Sequence, residues 1–179
     1  GGRLMVILLG SLLALVCLWP FAATAHGPTR QKVVETVEIN APADKVWDVV
    51  GNFQDMSWHP AFVKTEGKDG NNVGATRVLT LEGGGQIFEK LTKYNAEGKT
   101  LGYEITEVDV KVVPVTNYSA SITVTPDGDK SKVEWKSAFY RGFVNNDPPP
   151  ELSDEAAVKA ITGVFQSGLA ALKKKLEGG

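Results

Sequence analysis

Polar and apolar residues alternate with a period of two along much of the chain, a pattern that predicts β-strands. The runs that show it are 32–40, 62–67, 75–82, 86–94, 100–108, 115–125 and 132–143. Clusters of turn-forming residues separate several of them, including 69–72 and 126–129. Since turn-length links join most consecutive strands, we expect those strands to pair antiparallel.

A helical period replaces this alternation between the first two strands. Val46, Val49, Val50 and Phe53 recur at the i, i+3, i+4, i+7 spacing that gives a helix one apolar face. Pro42 stands where a helix can begin without losing a hydrogen bond. We expect one short helix over 42–53 and a second in the few residues before position 62.

The end of the chain predicts one long amphipathic helix. Ser153 is a candidate N-cap, and Asp154 and Glu155 in the first turn suit the helix dipole. The apolar stripe of this helix consists of Ala157, Ile161, Val164, Phe165, Leu169, Leu172 and Leu176. Gly163 and Gly168 interrupt it, and they leave room either for a ligand or for close approach of helix and sheet.

Together these elements predict an α+β fold in which a strongly bent antiparallel sheet of about six to seven strands wraps around the long C-terminal helix, with two short helices after the first strand. One long helix must cover one face of such a sheet. A bent sheet that grips a single helix leaves a cavity between them, and this cavity is the candidate binding site.

The N-terminal segment has the pattern of a secretory signal peptide. Arg3 precedes an uncharged apolar run over 4–25, which ends in the small-residue cleavage pattern Ala23-Thr24-Ala25. We therefore predict a signal peptide over 1–25, a domain over 26–179, and a periplasmic or secreted protein. The alternative is an uncleaved segment that anchors the domain in the membrane, facing the periplasm.

Charge and cysteine content exclude several functions. The chain has 19 Lys and Arg against 21 Asp and Glu, so no basic excess indicates nucleic acid as a partner. Its one cysteine, Cys17, lies in the predicted leader, which leaves no thiolate for a disulfide, a metal or a nucleophile in the domain. His26 with His59 is a poor copper site, and we expect neither a metal nor a cofactor.

Five sequence segments, in order, resemble the START-like, or helix-grip, superfamily, which includes pollen allergens, polyketide cyclases and lipid-transfer domains. The segments are VWDVVGNFQDMSWHP, VGATRVLTL, FEKLTKY, PVTNYSASITVTPDG and VEWKSAF. Within the superfamily, the chain is most similar to the MxaD-like periplasmic proteins of methanol-oxidation gene clusters. The resemblance covers residues 32–177.

The resemblance also implies which side chains point into the cavity. Similarity to the abscisic-acid receptors implies that the side chains of Lys64, Glu89, Tyr103 and Tyr118 point into the cavity. Alternation independently places Ile87 beside Glu89, and Phe62 on the same face as Lys64. We add the rings of Trp58 and His59 at the cavity mouth and the ring of Phe165 on the long helix. The predicted ligand-binding residues are therefore Trp58, His59, Phe62, Lys64, Ile87, Glu89, Tyr103, Tyr118 and Phe165.

Several of these side chains have a second interpretation. Lys64 with Glu89 is either a ligand-orienting pair or a structural salt bridge, and His59 is either a general base or a packed ring at the cavity mouth. Arg77 either binds an anion or lies on the outer face, paired with an acid. Phe165 either lines the cavity or fills it.

Three functions fit the sequence. The first is an exported, non-catalytic protein that binds a small apolar or amphipathic ligand. The second, implied by the resemblance, is an accessory protein that contacts periplasmic methanol dehydrogenase, a quinoprotein, or its cytochrome c. The third is a cyclase- or isomerase-type enzyme that uses Lys64, Glu89 or His59 as acid or base.

Overall fold

The computed structural model describes residue 2 and residues 27–178, so the predicted leader, with Cys17 and His26, lies outside the described residues apart from Gly2. The elements in chain order are β1 (Gln31–Ile39), α1 (Ala43–Val50), β2 (Phe62–Lys68), β3 (Thr76–Leu81), β4 (Gln86–Asn95), β5 (Thr100–Val108), β6 (Val115–Asp127), β7 (Lys130–Arg141) and α2 (Asp154–Glu177). A single 3₁₀ turn, Pro150–Leu152, precedes α2. The described residues contain no helix that is both long and apolar enough to cross a bilayer.

All seven strands form one antiparallel sheet, and its order is β1-β7-β6-β5-β4-β3-β2. Strands β1 and β2, which follow each other in the chain, therefore lie at opposite edges. The sheet curls, and α2 packs on it with contacts concentrated on β1 and β7. The predicted α+β class, the bent sheet and the long C-terminal helix are confirmed.

Helix α1 is shorter than the sequence pattern predicts. It follows Pro42, which is extended, and it buries Val46, Trp47 and Val50 against the core. The helix ends at Gly51, whose N–H donates to the Trp47 carbonyl. A Cβ at position 51 would lie 2.4 Å from the Trp47 ring, so the indole folds over the helix end where only a glycine fits.

The second short helix is absent from the described residues, and that prediction is wrong. The segment consists of successive turns, in which the His59 N–H donates to Met56 and the Phe62 N–H donates to His59. Pro60 has no N–H, and the Ala61 N–H donates to Nδ1 of His59 instead of to a carbonyl. Helical i to i−4 bonds therefore do not form here.

Helix α2 has the features that its sequence predicts. The Ser153 hydroxyl accepts a hydrogen bond from the Ala156 N–H at 3.1 Å, which caps the first turn. The buried side chains follow the predicted stripe: Ala157, Ile161, Phe165, Leu169 and Leu172. Val164 and Leu176 are only partly buried, since they lie at the edges of the stripe.

Candidate functional site

A cavity of about 90 Å³ lies between the inner face of the sheet and α2. Most of its wall is aliphatic, supplied by Leu79, Leu81, Ile87, Ile105, Ile161 and Val164. Four polar side chains also reach it: Arg77, Glu89, Tyr103 and Tyr118. An apolar space with a few convergent polar groups is the usual form of a small-molecule site.

Arg77 and Glu89 form a buried ion pair in the cavity wall. They are directly opposite each other on β3 and β4, and their side chains are only 3% and 5% exposed. Nε and Nη2 of Arg77 each lie 2.8 Å from the same atom, Oε1 of Glu89. Both donors therefore converge on one carboxylate oxygen, and no described residue hydrogen-bonds Oε2.

Other contacts hold the Arg77 guanidinium in place. Its Nη1 donates to the Phe53 carbonyl at 2.9 Å, which ties β3 to the segment after α1. The guanidinium carbon lies 4.2 Å from the centre of the Phe53 ring and 4.9 Å from the centre of the Tyr103 ring. Aromatic faces attract a cation in this way, so the two rings partly replace the water that Arg77 loses on burial.

A chain of hydrogen bonds connects two tyrosines and a tryptophan beside the ion pair. Nε1 of Trp135 donates to the Tyr103 hydroxyl at 3.0 Å. The Tyr103 and Tyr118 hydroxyls lie 3.0 Å apart, with either one as donor. The indole N–H of Trp135 and the hydroxyls of Tyr103 and Tyr118 therefore all have a partner within this network, which fixes the orientation of the three rings.

Burial controls the ionisation of these groups. Loss of water raises the pKa of Glu89, and the neighbouring Arg77 cation opposes that rise. Burial likewise raises the pKa of Tyr103 and of Tyr118 well above the usual value for a phenol. Both phenols are therefore neutral near physiological pH, and they act as hydrogen-bonding groups rather than as charges.

Lys64 points away from the cavity, and the prediction that it faces inward is wrong. Its side chain is 60% exposed and pairs with Glu66 at 3.1 Å on the outside of the protein. The reason is a β-bulge: Phe62 pairs with Leu81 but Lys64 pairs with Thr80, so Val63 is an extra residue in β2. One extra residue reverses the alternation that the sequence suggests.

His59 is fully buried, and both its ring nitrogens have protein partners. Nδ1 accepts the Ala61 N–H, and Nε2 lies 2.7 Å from the Val164 carbonyl. Since Nδ1 is an acceptor, the proton of the neutral ring is on Nε2, which donates to α2. Burial lowers the pKa of His59, and the bond to Val164 opposes this only partly. The packed-ring interpretation describes this arrangement, because neither nitrogen is free to act as a base.

The remaining predicted residues divide into two groups. Phe62, Ile87, Glu89, Tyr103 and Tyr118 lie on the cavity wall, whereas Trp58, His59 and Phe165 lie behind it. Trp58 packs on Trp135 with ring centres 5.7 Å apart, and Phe165 stacks on the same indole at 4.2 Å. Binding of a ligand by any of these side chains stays a prediction.

Arg77 is the partner of Glu89 that sequence reasoning did not identify. The sequence left two alternatives for Arg77: an inner position that binds an anion, or an outer position paired with an acid. The structure shows neither, because Arg77 lies on the inner face and pairs with Glu89. A signal was available in the alternation of β3: Ala75 and Leu79 are apolar and share a strand face with Arg77. The apolar neighbours indicate that this face is the buried one.

Comparisons with known proteins agree with this fold. The model of the polyketide cyclase / dehydrase and lipid transport family matches residues 30–177. A solved structure from Bacillus thuringiensis is 27% identical, with a TM-score of 0.69, and covers 82% of this chain and 98% of its own. The protein XoxI from Bacillus cereus is 28% identical, with a TM-score of 0.69, and covers 81% of this chain and 94% of its own.

Norcoclaurine synthase from Thalictrum flavum has the same fold, with a TM-score of 0.66 at 21% identity over 86% of this chain and 98% of its own. No match was found among curated protein sequences. The predicted START-like superfamily is confirmed, and similarity to the MxaD-like group is not. Because the family model spans most of the chain, from the start of β1 to the end of α2, this protein belongs to the polyketide cyclase / dehydrase and lipid transport family.

Proposed function

We propose that this protein binds a small, largely apolar molecule in the cavity between its sheet and α2. The observation that carries the proposal is the composition of the wall, which consists of aliphatic and aromatic side chains apart from the Arg77–Glu89 pair and two tyrosine hydroxyls. The description of the family, which includes lipid transport and the cyclisation of polyketides, supports a small-molecule ligand. We further propose that the protein is exported, on the basis of the leader pattern over 1–25.

The volume of the cavity limits the ligand. About 90 Å³ is well below the roughly 300–1,000 Å³ of typical ligand pockets. At ~30 Å³ for each water, it holds about three water-sized groups. A larger ligand would require the partly buried side chains of the wall, such as Phe62, Leu81 and Val112, to move apart.

Xenon binding tests this proposal, because xenon enters apolar cavities and needs no polar partner. Methyl signals of Ile87, Ile105 and Ile161 should shift saturably under xenon pressure in NMR spectra of the purified protein. The variant Ala160→Leu, which adds a larger side chain to the cavity wall, should lose these shifts. Ala170→Leu, on an exposed position of the same helix, is the matched control and should keep them. Equal behaviour of the two variants would count against a binding cavity.

The second candidate is the accessory role in methanol oxidation. It is supported by the sequence resemblance to MxaD-like proteins and by a cavity that has little room for a ligand. Affinity purification of the tagged protein from its source organism tests it directly. Recovery of a quinoprotein dehydrogenase or a cytochrome c would support this role, and their absence from a cross-linked sample would contradict it.

Catalysis of the cyclase or isomerase type would depend on Glu89. Burial raises the pKa of this carboxyl, which is the direction that a general acid working near neutral pH needs, although the neighbouring Arg77 cation opposes the rise. His59 contributes no proton transfer, because its two nitrogens are bonded within the protein. If the Glu89→Gln variant turned over a candidate substrate at an unchanged rate, a catalytic role for Glu89 would be ruled out.

A further inference from the structure

The polar side of the cavity contains an unused hydrogen-bond acceptor. Arg77 donates to Oε1 of Glu89 through both Nε and Nη2, and Oε2 has no hydrogen-bond partner in residues 27–178. The carboxyl group is 5% exposed and lies in the cavity wall. An acceptor that faces a cavity and has no protein donor leaves a hydrogen bond unmade, so a donor group inside the cavity would be stabilised there.

The net charge on the polar side of the cavity determines which kind of hydrogen-bond donor a ligand can carry. Arg77 balances the charge of Glu89, and the two phenols beside the pair are neutral, so the polar side has no net charge. A cationic ligand would leave an uncompensated positive charge in a space shielded from water. An anionic ligand would meet the free carboxylate oxygen of Glu89. The arrangement therefore favours a neutral donor.

Tyr118 adds a second polar contact in the same cavity. The only described partner of its hydroxyl is the hydroxyl of Tyr103, which also accepts the indole N–H of Trp135. A phenol has one donor and two acceptor positions, so Tyr118 retains hydrogen-bonding capacity toward the cavity. A ligand hydroxyl, which both donates and accepts, is complementary to a carboxylate oxygen and a phenol together.

We propose that the ligand class of this cavity is a short-chain aliphatic alcohol whose hydroxyl donates to Oε2 of Glu89. This inference rests on the proposed function and narrows it. The aliphatic wall contacts the alkyl part, and the volume of about 90 Å³ admits a molecule of roughly propanol size. The determinants of specificity are Glu89, which accepts from the ligand, and Arg77, which directs one carboxylate oxygen away from it.

Three probes of the same shape test the class. Propan-2-ol can donate a hydrogen bond, acetone can only accept one, and isopropylammonium donates but is charged. In NMR titrations of the intact protein, we expect propan-2-ol to bind at least tenfold more tightly than acetone, as one lost hydrogen bond to a charged group predicts. We expect no saturable shifts from isopropylammonium.

Glu89→Gln replaces the acceptor with an amide that offers both a donor and an acceptor. In this variant the affinities for propan-2-ol and acetone should become nearly equal, mostly because acetone binds more tightly. Glu107→Gln, on the exposed surface of β5, should leave the ratio unchanged. The ratio in the unaltered protein tests the proposal even if Glu89→Gln does not fold.

The outcomes separate this inference from the proposed function. If acetone or isopropylammonium binds as tightly as propan-2-ol, and Ala160→Leu abolishes binding, the cavity binds ligands but the alcohol class is wrong. If neither xenon nor any of the three probes gives saturable shifts, the proposed function itself is wrong, and the alcohol class is overturned with it.

Discussion

Gly168 of α2 lies directly against the imidazole of His59, and a Cβ at position 168 would stand 2.4 Å from Cδ2 of that ring. The same Cβ would lie 2.9 Å from the Trp135 ring. The glycine therefore allows the helix to approach the turn before β2, where Nε2 of His59 donates to the Val164 carbonyl. The two helix glycines differ in this respect, because nothing lies within 4 Å of a Cβ at Gly163.

We predict opposite effects of alanine at these two positions. Gly168→Ala should lower the free energy of unfolding by about 1–3 kcal/mol, because the added methyl group overpacks a core that cannot easily yield. Gly163→Ala should raise it by up to about 1 kcal/mol, through helix propensity alone. Urea unfolding of the two variants checks this, and equal stability of the two would contradict the close contact with His59.

Removing Arg77 should be far more damaging than removing a surface cation. Arg77→Met leaves a buried carboxylate without its partner, a change that typically costs about 3–5 kcal/mol. Lys64→Met breaks only the exposed pair with Glu66, and about 0–1 kcal/mol is expected. The double variant Arg77→Met/Glu89→Leu should recover much of the lost stability. Failure of the second substitution to rescue the first would show that the bond from Arg77 to the Phe53 carbonyl dominates.

The protein should lose stability in mild acid because of His59. Burial lowers the pKa of His59 below its usual 6.5, so the unfolded chain takes up a proton at a pH where the folded protein does not. The contribution of His59 is therefore fully present above pH 6.5 and is lost as the pH falls toward the folded-state pKa. Glu89 acts in the opposite direction: its pKa is raised above 4.5, so its contribution falls as the pH rises from that value.

The comparison that isolates His59 uses Glu89→Gln as the background. In that background the free energy of unfolding should fall between pH 7 and pH 5, by at most about 1.4 kcal/mol for each pH unit. Adding His59→Gln should flatten this slope, while also lowering stability at pH 7. An unchanged slope would mean that His59 is protonated as readily in the folded protein as in the unfolded chain.

The two tyrosines should differ in what their hydroxyls contribute. Tyr103→Phe leaves the Trp135 indole N–H without an acceptor in the core, at a cost of about 1–3 kcal/mol. Tyr118→Phe leaves the bond between Trp135 and Tyr103 in place, so a loss of about 1 kcal/mol is expected. The indole N–H signal of Trp135 in NMR spectra should move strongly in the first variant and little in the second.

Local patterns in the sequence predicted the fold well, because each element carries its own signal. The cap at Ser153, the apolar stripe of α2 and the strand alternation all correspond to contacts in the structure. The second short helix was predicted wrongly, because a ring nitrogen of His59 takes the N–H that a helix would use. The spacing of apolar residues does not show that a side chain competes with a backbone carbonyl for this N–H.

The site was less predictable, since it depends on pairing between strands. Glu89, Tyr103 and Tyr118, whose inward positions the family resemblance implied, do line the cavity. The partner of Glu89 was assigned to the wrong strand, because the register of β3 against β4 places Arg77 opposite it. Residue order alone does not give a cross-strand register, which depends on turns, bulges and packing together.

The bulge at Val63 has a consequence for the charge of the interior. Uninterrupted pairing from Phe62 would place Lys64 opposite Leu79, on the side of the sheet that faces α2. The cavity would then hold two cations and one carboxylate, and it would suit an anion rather than a neutral molecule. Instead Thr65 pairs with Leu79, and its hydroxyl accepts the Met56 N–H. Loss of the extra residue in β2 would therefore change the ligand that the proposed site favours from a neutral molecule to an anion.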